Sequence, residues 1–312
     1  MFTTLSRITL PRRIELPKNI FYSVLLFLLA IAGRTYIPYI LLGIYNRLFN
    51  RFNSIFFFYA PNSQYRKHYP LGNMDFLLRW QPTIVGTFKQ GGKYGLVIAS
   101  PMLESDLLDS KNREKLNLLC NRIRRVGDIV GIDQISLAGI FPSVLMKTDQ
   151  NWFTDPRPSA ATAICNALEY LINKQENSQD LVIFGGEGFV GKAVCDELRN
   201  RNHKYVSVDK GSIHNMDSLI GKECILVNVS RQGALEEIEP MLWDGITILN
   251  EVFPEPRKRL VSKLKMRNID IWHLSGVKGN VVPSLPGGYK DSVPCCAVHV
   301  VERDIQFVIK SL

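Results

Sequence analysis

The stretch from Leu181 to Asp209 constrains this chain more than any other. An apolar run, Leu181-Val182-Ile183-Phe184, ends in a glycine cluster in which Gly186, Gly188 and Gly191 are spaced G-x-G-x-x-G. A helical pattern follows, then a β-rich run from Tyr205 to Val208, then Asp209. Strand, glycine turn, helix, strand and acid in this order predict a dinucleotide-binding βαβ unit. In that reading Gly186 makes the turn off the strand and Gly188 lets the backbone approach a pyrophosphate. Gly191 lets the helix pack on the sheet. The helix start, with Phe189 and Val190, presents unpaired N–H groups to the phosphates. Asp209 accepts hydrogen bonds from the adenosine ribose. Lys210 beside it would offset the repulsion of a 2′-phosphate, so both NAD and NADP stay open as cofactors. Glu187 is compatible with a pyrophosphate only if its side chain points to water.

At 312 residues, 46% hydrophobic and 21% charged, the chain can bury a sizeable core in one large or two smaller domains. The formal net charge of +9 favours anionic partners: lipid headgroups or an acidic carrier protein. No zinc-finger, RNA-binding or basic-zipper pattern accompanies it, so no nucleic-acid partner is expected. The six cysteines (120, 165, 195, 224, 295 and 296) lack metal-ligand spacing, so no metal is expected. Free thiols suit a reducing, cytoplasmic setting. Cys165 and Cys195 read as small core residues.

Residues 1–60 form an apolar, basic-flanked N-terminal segment. Ile20 to Gly33 and Thr35 to Tyr45 are apolar runs separated by Arg34. Arg7, Arg12, Arg13 and Lys18 precede them, and Arg47 and Arg51 follow. Neither run reaches the roughly 20 residues of a straight membrane span. A re-entrant hairpin or interfacial helix pair on an anionic membrane surface is the expectation. A signal peptide, with Ala30-Ile31-Ala32 imitating a cleavage site, and a buried helical hairpin are the alternatives.

Residues 61–172 read as a smaller α/β substrate domain. Gly95–Ala99 and Gln134–Ala138 have strand patterns, and Leu107 to Val126 is an amphipathic helix with a basic face. A bridging helix runs from Ser159 to Leu171. Residues 173–312 complete a doubly wound parallel sheet, with further strands at 224–229, 246–249 and 269–274. Ser230 follows one strand end and faces the nicotinamide side in such a sheet. His273, near the end of another strand, is a candidate proton shuttle. A Gly/Pro-rich loop, Val281 to Pro294, leads to Cys295-Cys296-Ala297. A thiol at such a loop end is a candidate nucleophile or a packing residue.

Four stretches from Gly95 onward resemble the cyanobacterial-type long-chain acyl-(acyl carrier protein) reductases. Gly131-Ile132-Asp133-Gln134-Ile135-Ser136-Leu137-Ala138-Gly139 with Ser143 is similar to that family's GIDISALGG run. Phe153-Thr154 through Ile164-Cys165 is similar to its FTTG…ICR segment, and Gly191-Lys192-Ala193-Val194-Cys195 to its GSAVC. Cys295-Cys296-Ala297 is similar to its C-F-A-E at the thioester cysteine. The resemblance implies a two-domain enzyme that reduces a fatty acyl thioester to an aldehyde with NADPH. It makes Cys295 the nucleophile and Cys296 its neighbour. The chain departs from the family at Pro158-Ser159-Ala160, where the family has Thr-His-Thr, and at Val298, where it has Glu. Asp209 also replaces an arginine suited to a 2′-phosphate.

The expected activity is therefore NAD(P)H-dependent reduction of an acyl thioester carried by acyl carrier protein or coenzyme A. Cys295 attacks, and N–H groups near Cys296 and Ala297, or Ser230, hold the oxyanion. The alternatives are a shikimate-type dehydrogenase, for which Lys147 and Asp155 are the available Lys and Asp, and a non-catalytic dinucleotide-binding membrane protein.

Overall fold

The computed structural model describes residues 25, 28–29, 31–67, 78–175, 179–285, 289, 291–297 and 305–312. Most of the first apolar run, the basic residues 7–18, the loop centre at 286–288 and Val298 lie outside the described residues. Helix α1 (Ile37–Phe49), opened by Pro38, leads into strand β1 (Phe52–Ala60). A β-hairpin follows, β2 (Thr83–Gln90) and β3 (Lys93–Leu103), then helix α2 (Arg113–Val130) and strand β4 (Gln134–Leu137). β1 is a near-continuous apolar run, which suits a strand with neighbours on both sides and helices over its faces. It pairs in parallel with β3 on one side and β4 on the other. Ile55 to Ala60, grouped above with the N-terminal segment, is thus the centre of the first sheet.

α2 carries Leu116, Leu119, Ile123, Val126 and Val130 at helical spacing, and this stripe packs on Ile55, Phe57, Ile98 and Leu137 of the sheet. Its basic residues Arg113, Lys115, Arg124 and Arg125, and Lys111 just before it, are exposed, as a solvated face requires. Among the described residues no helix is long and apolar enough to cross a membrane.

Helix α3 (Arg157–Lys174) bridges to the second sheet. Its alanine-rich face is buried against that sheet and against the next helix. Strand β5 (Asp180–Phe184) and helix α4 (Phe189–Asn200) flank the glycine turn, and β6 (Val206–Val208) closes the βαβ unit. β7 (Cys224–Asn228), β8 (Ile246–Asn250) and β9 (Asp270–Lys278) complete the parallel part of the sheet. The order β6-β5-β7-β8-β9 is that of a doubly wound fold. The chain winds outward from β5 to β6, then returns across β5 to β7. The switch point lies between the ends of β5 and β7.

The C-terminal segment does not stay in the second sheet. β10 (Asn280–Val282) pairs antiparallel with β2 at the edge of the first sheet. β11 (Ser292–Val293) then returns to pair with β9, a short 3₁₀ turn carries residues 295–297, and β12 (Phe307–Ser311) also pairs with β9. Helix α3 lies between the strands of the two sheets, and of the described strands after β9 only β10 pairs with the first sheet.

α1 is fixed by Asn46, whose amide donates to the carbonyls of Phe52 (3.0 Å) and Val130 (3.3 Å) and accepts from the Phe52 N–H (2.7 Å). Asn46→Ala leaves these backbone groups unpaired, so it is expected to cost about 1–3 kcal/mol in urea melts. An unchanged midpoint would show that α1 is not seated through this residue.

Candidate functional site

The turn after β5 is set by Gly185, at φ +97°, a conformation side chains rarely adopt. A Cβ there would also lie 2.6 Å from Ser230 Cα, at the head of the neighbouring β7 loop. The sequence reading gave this turn to Gly186; the structure moves it one residue back. Gly186 instead abuts Ser207 on β6, which leaves no room for a side chain. At Gly191 a Cβ would sit 2.0 Å from the Gly185 carbonyl oxygen, so helix and turn touch backbone to backbone. Gly188 precedes α4 in an extended conformation, and no side chain caps the helix. The first N–H groups of a twelve-residue helix therefore face the switch point.

Asp209 stands at the end of β6 and accepts a hydrogen bond from the Glu187 N–H through Oδ2 (3.0 Å). That bond ties the acid to the glycine turn. Glu187 itself is exposed, 3.7 Å from Lys192, so its charge points away from the turn. Lys210 and Arg231 both pair with Glu237, which offsets their charge at the outer rim.

A cavity of about 730 Å³ opens at this turn and extends between the two sheets. Gly185, Gly188, Phe189, Val190, Asp209, Lys210 and Ser230 border one end. The far end is formed by Phe56, Phe58 and Tyr59 of β1, by Ala138 to Ile140 after β4, and by Tyr289, Cys295 and Cys296. The C-terminal ends of strands from both sheets thus face one space. Its size suits a bound small molecule. Of the expected cofactor residues, Gly188, Phe189, Val190, Asp209, Lys210 and Ser230 border the same cavity as the two thiols, while Gly186 and Gly191 do not.

Both thiols lie where water is scarce. Burial first, then the negative charge of Glu251, pushes the Cys295 thiol well above its ordinary range. The same two causes push Cys296 up to about 12, and a backbone hydrogen bond at Gly139 opposes them. Cys296 is the more accessible of the pair. Ser159, in the segment where the family's polar triplet is missing, donates to the Cys295 carbonyl (3.0 Å) and touches the cysteine turn after all.

Sequence reasoning passed over Glu251, the residue after β8. It borders the cavity, and burial raises its carboxyl to about 7. Tyr59 and Glu104 form a second acid pair on the wall, with the phenol donating to Glu104 (3.3 Å). Tyr289 packs on Phe253 (4.8 Å between ring centres), and burial holds its phenol protonated. Only their place on the parallel strand ends and the return loop could have marked them.

Other expected roles are not supported by the geometry. Ser230 donates both its hydroxyl and its N–H (3.3 Å for the latter) to Asn228, so it has no donor left for an oxyanion. The Ala297 N–H is likewise taken by the Pro294 carbonyl (2.8 Å). His273 is buried in mid-strand and does not border the cavity. Its Nδ1 faces the Asn250 amide at 2.9 Å, and Asn250 accepts from Asn228 at 2.7 Å. Burial lowers His273 to about 4, so it is a neutral member of this ladder rather than a proton shuttle. Lys147 is exposed, Asp155 pairs with Arg157, and neither borders the cavity. Among the described residues no cluster could hold a metal ion.

No protein-family model matches this chain, and no curated protein matches it. A solved structure described as shikimate 5-dehydrogenase-like protein HI0607 is similar over 70% of this chain and 84% of its own, with 13% identity and a TM-score of 0.34. The doubly wound fold follows from the strand order of the second sheet.

Glu251 and His273 predict opposite pH slopes. The folded state keeps a proton on Glu251 that the unfolded chain loses, so this contribution falls as pH rises from about 4.5 to about 7. The unfolded chain protonates His273 while the folded state does not, so that contribution rises from about 4 to about 6.5. The two oppose each other in the shared window. Glu251→Gln should leave the histidine slope alone, up to about 1.4 kcal/mol per pH unit, in urea melts between these limits. A variant whose slope matches the wild type would show that Glu251 titrates normally.

Proposed function

We propose that this protein is a nicotinamide-dinucleotide-dependent oxidoreductase that reduces an apolar acyl thioester through a cysteine of the 295–296 pair. The observation that supports this reading is the single cavity bordered by the glycine turn at one end and by two thiols and a buried carboxyl at the other. The α4 N-terminus, with Gly188 and Gly191, would hold the pyrophosphate, and Asp209 the adenosine ribose. When bound, the dinucleotide supplies a hydride.

The chain's own residues account for the rest. A thiol raised by burial is protonated at neutral pH and needs a base during attack. Glu251, at about 7, is poised to take that proton. As the cysteine sulfur bonds to the acyl carbon, the carrier sulfur leaves and takes the proton back from Glu251. Hydride supplied by a bound dinucleotide, together with one further proton, would release the acyl group as aldehyde and leave the cysteine as a thiol. Tyr289 is the candidate donor to the oxyanion, since its phenol stays protonated at the cavity wall. The aromatic side chains of Phe56, Phe58 and Phe253 suit an apolar chain. Acyl carrier protein and coenzyme A are the two carriers to compare.

A dehydrogenase acting on a small polar substrate is the second reading. The same cofactor seat serves it, and the Tyr59–Glu104 pair and Glu251 give the cavity proton-transfer groups that need no thiol.

Turnover assays with NADH and NADPH on acyl thioesters and on hydroxy acids separate the readings. The thioester reading predicts a covalent acyl adduct that one of Cys295→Ala and Cys296→Ala abolishes. It also predicts a loss of about 100-fold in kcat for Tyr289→Phe. Turnover by both cysteine variants at wild-type rate would overturn it in favour of the second reading. Dinucleotide binding without any turnover would reduce the protein to a binding module.

A further inference from the structure

Helix α1 is amphipathic in the reverse sense. Its inward face carries Tyr39, Gly43 and Asn46, all buried. Tyr39 donates to the Pro82 carbonyl (2.8 Å), Gly43 lies against the backbone of Ile129, and Asn46 bonds to Phe52 and Val130. These contacts fix the rotation of the helix about its axis. Its outward face is apolar: Ile37, Ile40, Leu41, Ile44, Leu48 and Phe49 are 47–72% exposed. The spacing i, i+3/i+4, i+7, i+11 places them along one stripe. A helix that packs its polar residues inward and fixes six large apolar side chains outward presents a surface built to be covered.

Charge identifies the cover. Residues 1–67 contain nine Lys and Arg against a single Glu, so they hold +8 of the formal +9. No acidic residue lies on α1. Exposed cations are held around the stripe. Arg125 stacks on Tyr36 at its start (4.7 Å). Arg51 and Lys89 stack on Tyr94 beyond its end (3.7 and 5.3 Å), and Arg47 bonds the Ile129 carbonyl (3.4 Å). A second copy of this face would bring like charge against like. Residues 1–24, with Arg7, Arg12, Arg13 and Lys18 against Glu15, carry the same sign and suit the stripe no better.

We infer that the outward face of α1 is a docking surface for an anionic lipid bilayer. The helix lies in the plane of the membrane, its Ile, Leu and Phe side chains enter the headgroup–acyl boundary, and the surrounding Arg and Lys meet anionic headgroups. This is lateral seating, not a span. It rests on the geometry of α1 and stands whether or not the cavity performs thioester chemistry.

The full-length chain is tested by co-sedimentation with phosphatidylcholine vesicles, with and without about 30% phosphatidylglycerol. Binding to the anionic vesicles should be at least about tenfold tighter, and should weaken on raising salt from about 0.05 to 0.5 M. Leu41→Glu with Leu48→Glu should lose at least about tenfold of that affinity, and its thermal melt should match the wild type because both positions are exposed. Equal binding to both vesicle types would overturn the proposal. So would wild-type binding by the double variant, which would assign the membrane affinity to residues outside α1. A dimer in sedimentation velocity that the double variant dissociates would assign the stripe to self-association instead.

Discussion

Three residues of backbone pairing hold the functional part of this protein together. β9 belongs to the second sheet, yet the chain leaves it at Lys278 and lays Asn280–Val282 against Thr87–Lys89 of the first. β11 then brings it back to β9. β10 and β11 pin both ends of the segment that carries Tyr289, and the pairing of β11 with β9 fixes the start of the cysteine turn that follows it. The β11–β9 pairing and the Ser159 bond to the Cys295 carbonyl hold the thiols on the second sheet, the sheet that also carries the glycine turn. The crossing brings the edge of the first sheet to the same space, so that residues of both sheets border one cavity.

That cavity has an unusual electrostatic character. One end meets the positive terminus of α4 and the half-buried side chain of Asp209. The other end gathers a carboxyl, two thiols and buried phenols in a poorly solvated space. Low dielectric disfavours charge on every one of them, so each holds its proton to higher pH than it would in water. Beneath them, Asn228, Asn250 and His273 align in register across three parallel strands and satisfy one another as neutral groups. The polar ladder adds no charge to the floor. Proton chemistry is thereby left to Glu251 and its neighbours.

The cofactor half of the site was legible because it is local. β5, the glycine turn, α4 and Asp209 follow one another within thirty residues, and their periodicity and spacing carry the geometry. The first sheet was harder. Phe52–Ala60 looks like a continuation of an apolar N-terminus, and only its pairing with β3 and β4 reveals a central strand. Turn geometry and long-range contacts decided the remaining cases. Ser230 and the Ala297 N–H looked available in sequence but are consumed by partners two or three residues away. Glu251 looks like an ordinary loop acid in sequence, and only the fold brings Tyr289 and the two thiols to the same cavity wall. The inward polar face of α1 was hidden because Tyr39 and Asn46 find partners 43 and 84 positions away, and such pairings leave no periodic trace.

The most direct test of this account is a crystal structure of the protein soaked with dinucleotide. The account predicts the pyrophosphate on the amides at Phe189 to Gly191, the adenosine ribose on Asp209, and the nicotinamide ring in the shared cavity. Its C4 should lie near the distance from which groups react, about 3.5 Å from an acyl carbon carried on one of the two sulfurs. A dinucleotide bound elsewhere, or a nicotinamide turned out of the space that holds Cys295 and Cys296, would contradict it.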